Sequence, residues 1–170
     1  MKNIVLIGMP GVGKSTVGVV LAKVLGYDFL DSDLVIQKKD GRRLHEIIEQ
    51  EGTEQFIALE DQVNASINVE NSIIATGGSA VFGHHAMEHL SKNGIVVYLS
   101  VPYEVLVERL GDLNERGVVT RPGQTLLDVY NERCPLYKKY ADITVDEEHL
   151  DIRSTVDAIM QQLDGKLTSI

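Results

Sequence analysis

The chain of 170 residues contains no tryptophan, one cysteine and four prolines, and only 5% of it is aromatic. A single cysteine, Cys134, excludes an internal disulfide, and nothing else in the composition points to an oxidising compartment. Long apolar runs are missing too: stretches such as Ile95 to Leu99 fall far short of the roughly 20 residues that span a bilayer. Only Ile4 to Ile7 form an apolar run before Gly8, so no secretory segment is expected and a cytoplasmic location is. Positive charge is scarce, with 16 Lys and Arg against 25 Asp and Glu, a formal net charge of −9. That balance excludes bulk attraction to nucleic acid or to an anionic membrane face. Any phosphate must therefore be held by a local site that overrides the global field. Pro- or Ser-rich linkers, low-complexity tracts and repeats are also lacking. Residues 1–170 are thus read as one domain, expected to be monomeric, with the 44% hydrophobic and 24% charged content of an ordinary globular protein.

What is present alternates. Ile4-Val5-Leu6-Ile7 is a continuous β-branched run of the kind buried on both faces of a sheet. From Ser15 to Leu25, Val17, Val20, Leu21, Val24 and Leu25 recur at helical spacing, with Gly26 as a stop. Further strands are predicted over Tyr27 to Leu30, Ser72 to Ala75, Ile95 to Leu99 and Ile143 to Val145. Helices are predicted over Gly83 to Leu90, Tyr103 to Leu110, Thr125 to Tyr140 and Ile152 to Leu163. A charged helical stretch from Leu34 to Ala65 is interrupted near Gly41 and Gly52, and Asp112 to Gln124, without apolar period, reads as a loop. Strands alternating with helices, and apolar on both faces, predict an α/β layer with a mainly parallel sheet.

Gly8-Met9-Pro10-Gly11-Val12-Gly13-Lys14-Ser15 satisfies G-x-x-x-x-G-K-[ST] without mismatch, directly between a buried strand and an amphipathic helix. Glycines let the backbone approach a phosphate chain with its N–H groups inward, and the helix start adds the positive end of its dipole. Lys14 is then expected to bridge the β- and γ-phosphates, and the Ser15 hydroxyl to ligate Mg²⁺. Gly11, Val12, Gly13 and Thr16 complete the expected contacts to ATP.

Farther along stand Phe29-Leu30-Asp31-Ser32-Asp33 after the second strand, Ala75-Thr76-Gly77-Gly78 after the third, and Arg133-Cys134-Pro135-Leu136-Tyr137 late in the chain. In this order and at this length the sequence resembles the shikimate kinase family over nearly its whole extent. The resemblance implies a three-layer P-loop NTPase fold like that of nucleoside monophosphate kinases. In it, helices flank a five-stranded parallel sheet, with a substrate-binding helical region at about 32–67 and a lid at about 112–124. It implies MgATP-dependent transfer of a phosphoryl group to a hydroxyl of shikimate, a step of aromatic amino-acid biosynthesis. By that likeness Asp31 helps hold Mg²⁺, Asp33 contacts the acceptor hydroxyl, and Gly77 and Gly78 bring backbone close to the substrate. Arg133 pairs with the substrate carboxylate, Arg109 packs on adenine, and Arg121 is the lid arginine that reaches the phosphates. The chemistry agrees: a carboxylate at the carboxyl edge of the sheet can orient a hydroxyl and accept its proton, and a lid arginine can stabilise charge on the transferring group. The alternative for Asp31 or Asp33 is a cap on the following helix.

The family pattern is broken at two points of the acceptor half, and the lid segment between Arg109 and Arg121 is longer than usual. Gly52, Phe56 and Glu60 hold their places, but the position of a second carboxylate-gripping arginine is Ile57, and the third glycine after the strand is Ser79. The phosphate half is intact and the acceptor half altered. Either another base (Arg42, Arg43 or Arg116) supplies the charge, or the acceptor is a different hydroxylated metabolite, or the chain is a non-catalytic nucleotide-binding regulator. His85 and His89, four apart, are read as a solvated helix face rather than a zinc site, Tyr130, Tyr137 and Tyr140 as packing residues, and Cys134 as no nucleophile.

Overall fold

Strand β1 (Asn3–Ile7) is buried along its whole length and occupies the middle of a five-stranded sheet in the order β2-β3-β1-β4-β5. The computed structural model describes residues 2–110 and 118–167. The other strands are β2 (Asp28–Asp31), β3 (Ser72–Ala75), β4 (Gly94–Ser100) and β5 (Ile143–Asp146), and every pairing is parallel. The connection leaving β1 runs to one side, to β2, while that leaving its neighbour β3 crosses to the other, to β4, so a crevice opens between the carboxyl ends of β1 and β3, where α/β sheets bind ligands. β5 buries only Ile143 and Val145, as expected of an edge strand covered on one face.

Helix α1 (Lys14–Leu25) follows β1, and α2 (Ser32–Asp40), α3 (Leu44–Glu51) and α4 (Thr53–Ala65) follow β2. A single 3₁₀ turn over Ala80–Phe82 precedes α5 (His84–Asn93). After β4 come α6 (Tyr103–Leu110) and α7 (Leu126–Tyr140), and α8 (Ile152–Leu167) closes the chain. The interruptions at Gly41 and Gly52 fall where the sequence predicts them. The helical region starts two residues earlier than predicted, at Ser32, because Asp31 caps it: its Oδ1 accepts from the Asp33 and Leu34 amides at 2.9 and 3.4 Å. β2 is likewise shifted one residue from the predicted Tyr27 to Leu30, and α5 and α8 run past their predicted ends.

The main core joins both faces of the sheet to α1, α5, α7 and α8. A separate cluster of Ile36, Ile47, Phe56 and Val63 holds α2, α3 and α4 to one another. Helix α7 carries Pro135 on its exposed side, while Val129, Arg133 and Tyr137, spaced four apart, are buried on the other. That spacing fixes Arg133 inward. Among the described residues no helix is long and apolar enough to cross a membrane.

Candidate active site

The loop from Gly8 to Gly13 wraps into α1 through Gly13, whose φ of 85° suits a residue without Cβ and leaves no side-chain cap on the helix. The first amides of α1 therefore stay available to an anion. Lys14 is buried and donates from Nζ to the Gly8 and Met9 carbonyls, both at 2.8 Å. Burial pulls its pKa down to about 8, opposed by Asp33. Ser15 Oγ donates to Asp31 Oδ2 at 2.9 Å, so one oxygen of Asp31 caps α2 while the other faces the phosphate loop. Of the two roles that the sequence leaves open for Asp31, the helix cap is present, and it leaves the second oxygen on Ser15.

Asp33, in the first turn of α2, turns the other way. Burial raises its carboxyl to about 6, helped by the charge of Asp31 and opposed by Lys14. A Cβ on Gly77 would stand 2.7 Å from Asp33 Oδ1 and 3.0 Å from Glu60 Oε2, so any larger residue here must push these carboxylates aside. A Cβ on Gly78 would stand 2.7 Å from Pro10 Cδ and 3.0 Å from Arg133 Nη1. The Gly78 carbonyl accepts from Tyr137 Oη at 2.6 Å, which ties α7 to this loop. Arg133, 3% exposed, donates from Nη2 to the Val119 carbonyl, while Nε and Nη1 have no partner among the described residues. Two buried, unpartnered donors on one guanidinium, with Nη1 beside the Gly78 turn, could accept an anion.

Glu60, on α4, is 2% exposed and accepts from Ser79 Oγ at 2.6 Å, while its Oε2 is unpartnered among the described residues. Burial raises its carboxyl to about 7. Position 79, where the family pattern has glycine, thus provides the hydroxyl that holds Glu60. Ile57, one turn away on α4, contributes no charge. Arg42 is committed to Asp40, Gln50 and Glu51, and Arg43 is exposed beside Glu46, so neither joins this half of the site. Arg116 lies outside the described residues.

Arg109 lines a cavity of about 570 Å³ with Gly11, Val12, Gly13, Glu147 and residues 150–153. The cavity continues from the phosphate loop, as the nucleoside end of a triphosphate requires. Thr16 is exposed on the first turn of α1. Arg121 stands apart from Lys14's contacts: Nε donates to Glu54 at 2.6 Å and Nη1 to Glu132 at 2.5 Å, and its guanidinium lies 5.3 Å from the Phe82 ring centre. Arg133 approaches the same ring at 5.5 Å. The Thr120 carbonyl, accepting from Thr53 Oγ1 at 2.8 Å, holds this segment near α4.

The predicted residues Lys14, Ser15, Asp31 and Asp33 converge at the carboxyl edge of the sheet, with Gly77 beside Asp33 and Gly78 beside Arg133. Sequence reading passed over Phe82, Glu132 and Glu147, and gave Glu60 no role although it noted the position. Phe82 carries no motif, whereas Glu147, directly after an apolar strand, was recognisable only as one acid among twenty-five. His85 pairs with Asp61 at 2.9 Å and His89 Nε2 contacts the Ile67 carbonyl at 2.6 Å; the two rings bind different partners. Tyr137 stacks on Tyr98 in the core, and buried Cys134 accepts from Tyr98 Oη at 3.6 Å.

A family model described as "Shikimate kinase" matches residues 10–164. The chain is 36% identical over 165 residues to a shikimate kinase of Thermodesulfovibrio yellowstonii, covering 95% of each. Its structure is similar to shikimate kinase from Acinetobacter baumannii in complex with shikimate, with a TM-score of 0.86 and 34% identity over 98% of this chain and 94% of that one. It is also similar to shikimate kinase from Aquifex aeolicus, with a TM-score of 0.83 and 33% identity over 97% and 98%.

Proposed function

The chain belongs to the shikimate kinase family, and we propose on that premise that it transfers the γ-phosphoryl group of ATP to a ring hydroxyl of shikimate, giving shikimate 3-phosphate and ADP. The observation that carries the acceptor assignment is Arg133: a 3% exposed arginine with two unpartnered donors, set against Gly78, calls for a small carboxylate in an otherwise acidic protein. We take the enzyme to be a cytoplasmic monomer acting on this small molecule.

In this reading Gly11, Val12, Gly13 and Thr16 surround the triphosphate chain, and Lys14 gives up its carbonyl partners to the β- and γ-phosphate oxygens. Ser15 and Asp31 present two hard oxygens 2.9 Å apart, a donor set that fits Mg²⁺, which takes one or two protein oxygens and completes its shell with phosphate and water. Bound there, the ion neutralises phosphate charge. Asp33 orients the acceptor hydroxyl and takes its proton as the new O–P bond forms and the bond to the β-phosphate oxygen breaks. With its carboxyl at about 6, Asp33 is mostly ionised at neutral pH yet basic enough to accept. Gly77 and Gly78 bring backbone against the substrate ring, and Arg133 holds its carboxylate. Arg109 supports the adenine, and Arg121 leaves Glu54 and Glu132 to reach the transferring group.

ADP release measured with shikimate and with a panel of other hydroxylated metabolites tests the reading. Shikimate should be turned over fastest. Turnover of another acceptor with none of shikimate would overturn the substrate, and ATP binding with no acceptor turned over would make the chain a nucleotide-binding regulator.

A further inference from the structure

One buried carboxylate in the cavity beside the phosphate loop takes no part in the chemistry above. Glu147 follows β5 directly, and its amide is fixed on the Ser100 carbonyl at 2.8 Å. It is 3% exposed, yet it lines the cavity with Arg109 and the start of α8. Its Oε1 accepts from Thr155 Oγ1 at a long 3.3 Å, and its Oε2 has no partner among the described residues. Arg109 acts on it through space rather than by a hydrogen bond, and burial raises its carboxyl to about 7. A buried carboxylate with an open oxygen is unfavourable unless a donor arrives to fill it.

The nucleotide itself carries such donors. With its phosphates on Gly13 and Lys14, the nucleoside half lies in this cavity, offering an amino group on the base and hydroxyls on the ribose. We infer that Glu147 is the nucleoside-reading residue of the site: its open oxygen accepts a hydrogen bond from an N–H or O–H donor on the bound nucleoside, and the enzyme discriminates nucleotides by that donor. Arg109 supports the ring without selecting it, since a guanidinium plane accepts any base. Thr155, 1% exposed at the first turn of α8, holds the second carboxylate oxygen and sets the direction of the first.

The inference rests on the proposed use of ATP, and the experiment separates the two. Dissociation constants at pH 8, without acceptor, are measured for ATP, ITP (which lacks the amino group), 2′-deoxyATP and 3′-deoxyATP, on the native protein, Glu147→Gln and Glu147→Ala. The native protein should bind ATP about ten- to a hundredfold more tightly than the analogue missing the donor that is read, the usual range for a hydrogen bond to a charged group. Loss against ITP identifies the base amine, and loss against a deoxy form the ribose. In Glu147→Ala that ratio should fall towards one, and in Glu147→Gln, whose neutral amide oxygen is a weaker acceptor, it should fall part of the way, while the other analogues keep their rank. Glu147→Gln, nearly isosteric and unable to ionise, should also melt at a higher temperature than the native apo-protein at this pH, which establishes that it is folded. Equal binding of all four nucleotides by the native protein overturns the inference, as does an equal loss for all four in folded variants. A native protein that binds none of them overturns the ATP reading itself.

Discussion

Replacing Glu60 by glutamine separates the electrostatic cost of the acceptor site from its packing. The native carboxylate is 2% exposed, held at Oε1 by Ser79 and unpartnered at Oε2 among the described residues. Its pKa is about 7 in the folded protein against an ordinary 4.5. Because the folded value is raised, the native state binds more protons than the unfolded chain between those limits. Stability contributed by the neutral form is therefore complete below pH 4.5, falls as pH rises and is lost above about 7. At about 1.4 kcal/mol per pH unit the total is on the order of 3 kcal/mol, of which only about 1 kcal/mol has been lost at pH 5. Glutamine cannot ionise and lacks this slope. Its amide does place an N–H₂ where Oε2 was, at about 1–3 kcal/mol if unpaired, but that cost does not vary with pH. Asp33 and Glu147 titrate in both proteins and largely cancel. Urea or thermal melts of both apo-proteins from pH 5 to pH 8 isolate the slope. The difference between them should move by about 2 kcal/mol in favour of the variant, a relative change of roughly 4–8 °C for a chain of this size. A difference that stays flat within about 0.5 kcal/mol across that range refutes a raised Glu60.

Turnover should fall as pH drops through about 6, where Asp33 protonates, and Asp33→Asn should lower kcat by about 10²–10⁴ with ATP affinity unchanged. An unshifted acid limb in a still-active Asp33→Asn variant would assign that limb to another group. Ile57→Arg should lower the KM for shikimate by about ten- to a hundredfold with little change in kcat, because a guanidinium there adds a second grip on the carboxylate; an unchanged KM would mean that the guanidinium does not reach the substrate. Gly78→Ala must displace Pro10 or Arg133. It should cost about 1–3 kcal/mol of stability and raise the shikimate KM more than the ATP KM, and an equal rise in both would place the damage in the phosphate loop.

Legibility in the sequence followed how locally each feature is encoded. The phosphate loop could be read because one segment, Gly8 to Ser15, holds both the turn glycines and the helix start that they serve. β1 and β3 were readable because burial on both faces leaves an unbroken apolar run. Arg133 carried a motif, but its burial depends on Val129 and Tyr137 sharing its side of α7, a consequence of packing on Gly78 and Met9. Arg42 looked like a spare cation and is spent on Asp40 and Glu51, which only the α2–α3 turn brings together. The 3₁₀ turn at Ala80–Phe82 had no periodic signal, and with it went Phe82, the ring that both Arg121 and Arg133 approach. Ser79 read as a lost glycine; in three dimensions it is the hydroxyl that holds Glu60.

The net charge of −9 is an average over a surface that the ligands do not see. Inside the crevice Lys14 is pulled towards its neutral form, Asp33, Glu60 and Glu147 are each pushed towards theirs, and Arg133 keeps two donors unused. Each group is held against its own solvation, and its opposite charges act through space without a closed ion pair among the described residues. Pairing them internally would relieve the strain and close the site: an arginine at position 57, for instance, would stand one turn from Glu60 on α4 and could neutralise it. Ser79 instead supplies Glu60 with a neutral donor, which satisfies one oxygen and leaves Arg133, acting through space, to offset the charge in part. The missing arginine and the added hydroxyl are thus linked through one carboxylate. Restoring the cation alone, with Ser79 still bound to Glu60, directs the new guanidinium either to the free Oε2 or to the substrate, and the KM of Ile57→Arg reports which of the two it finds.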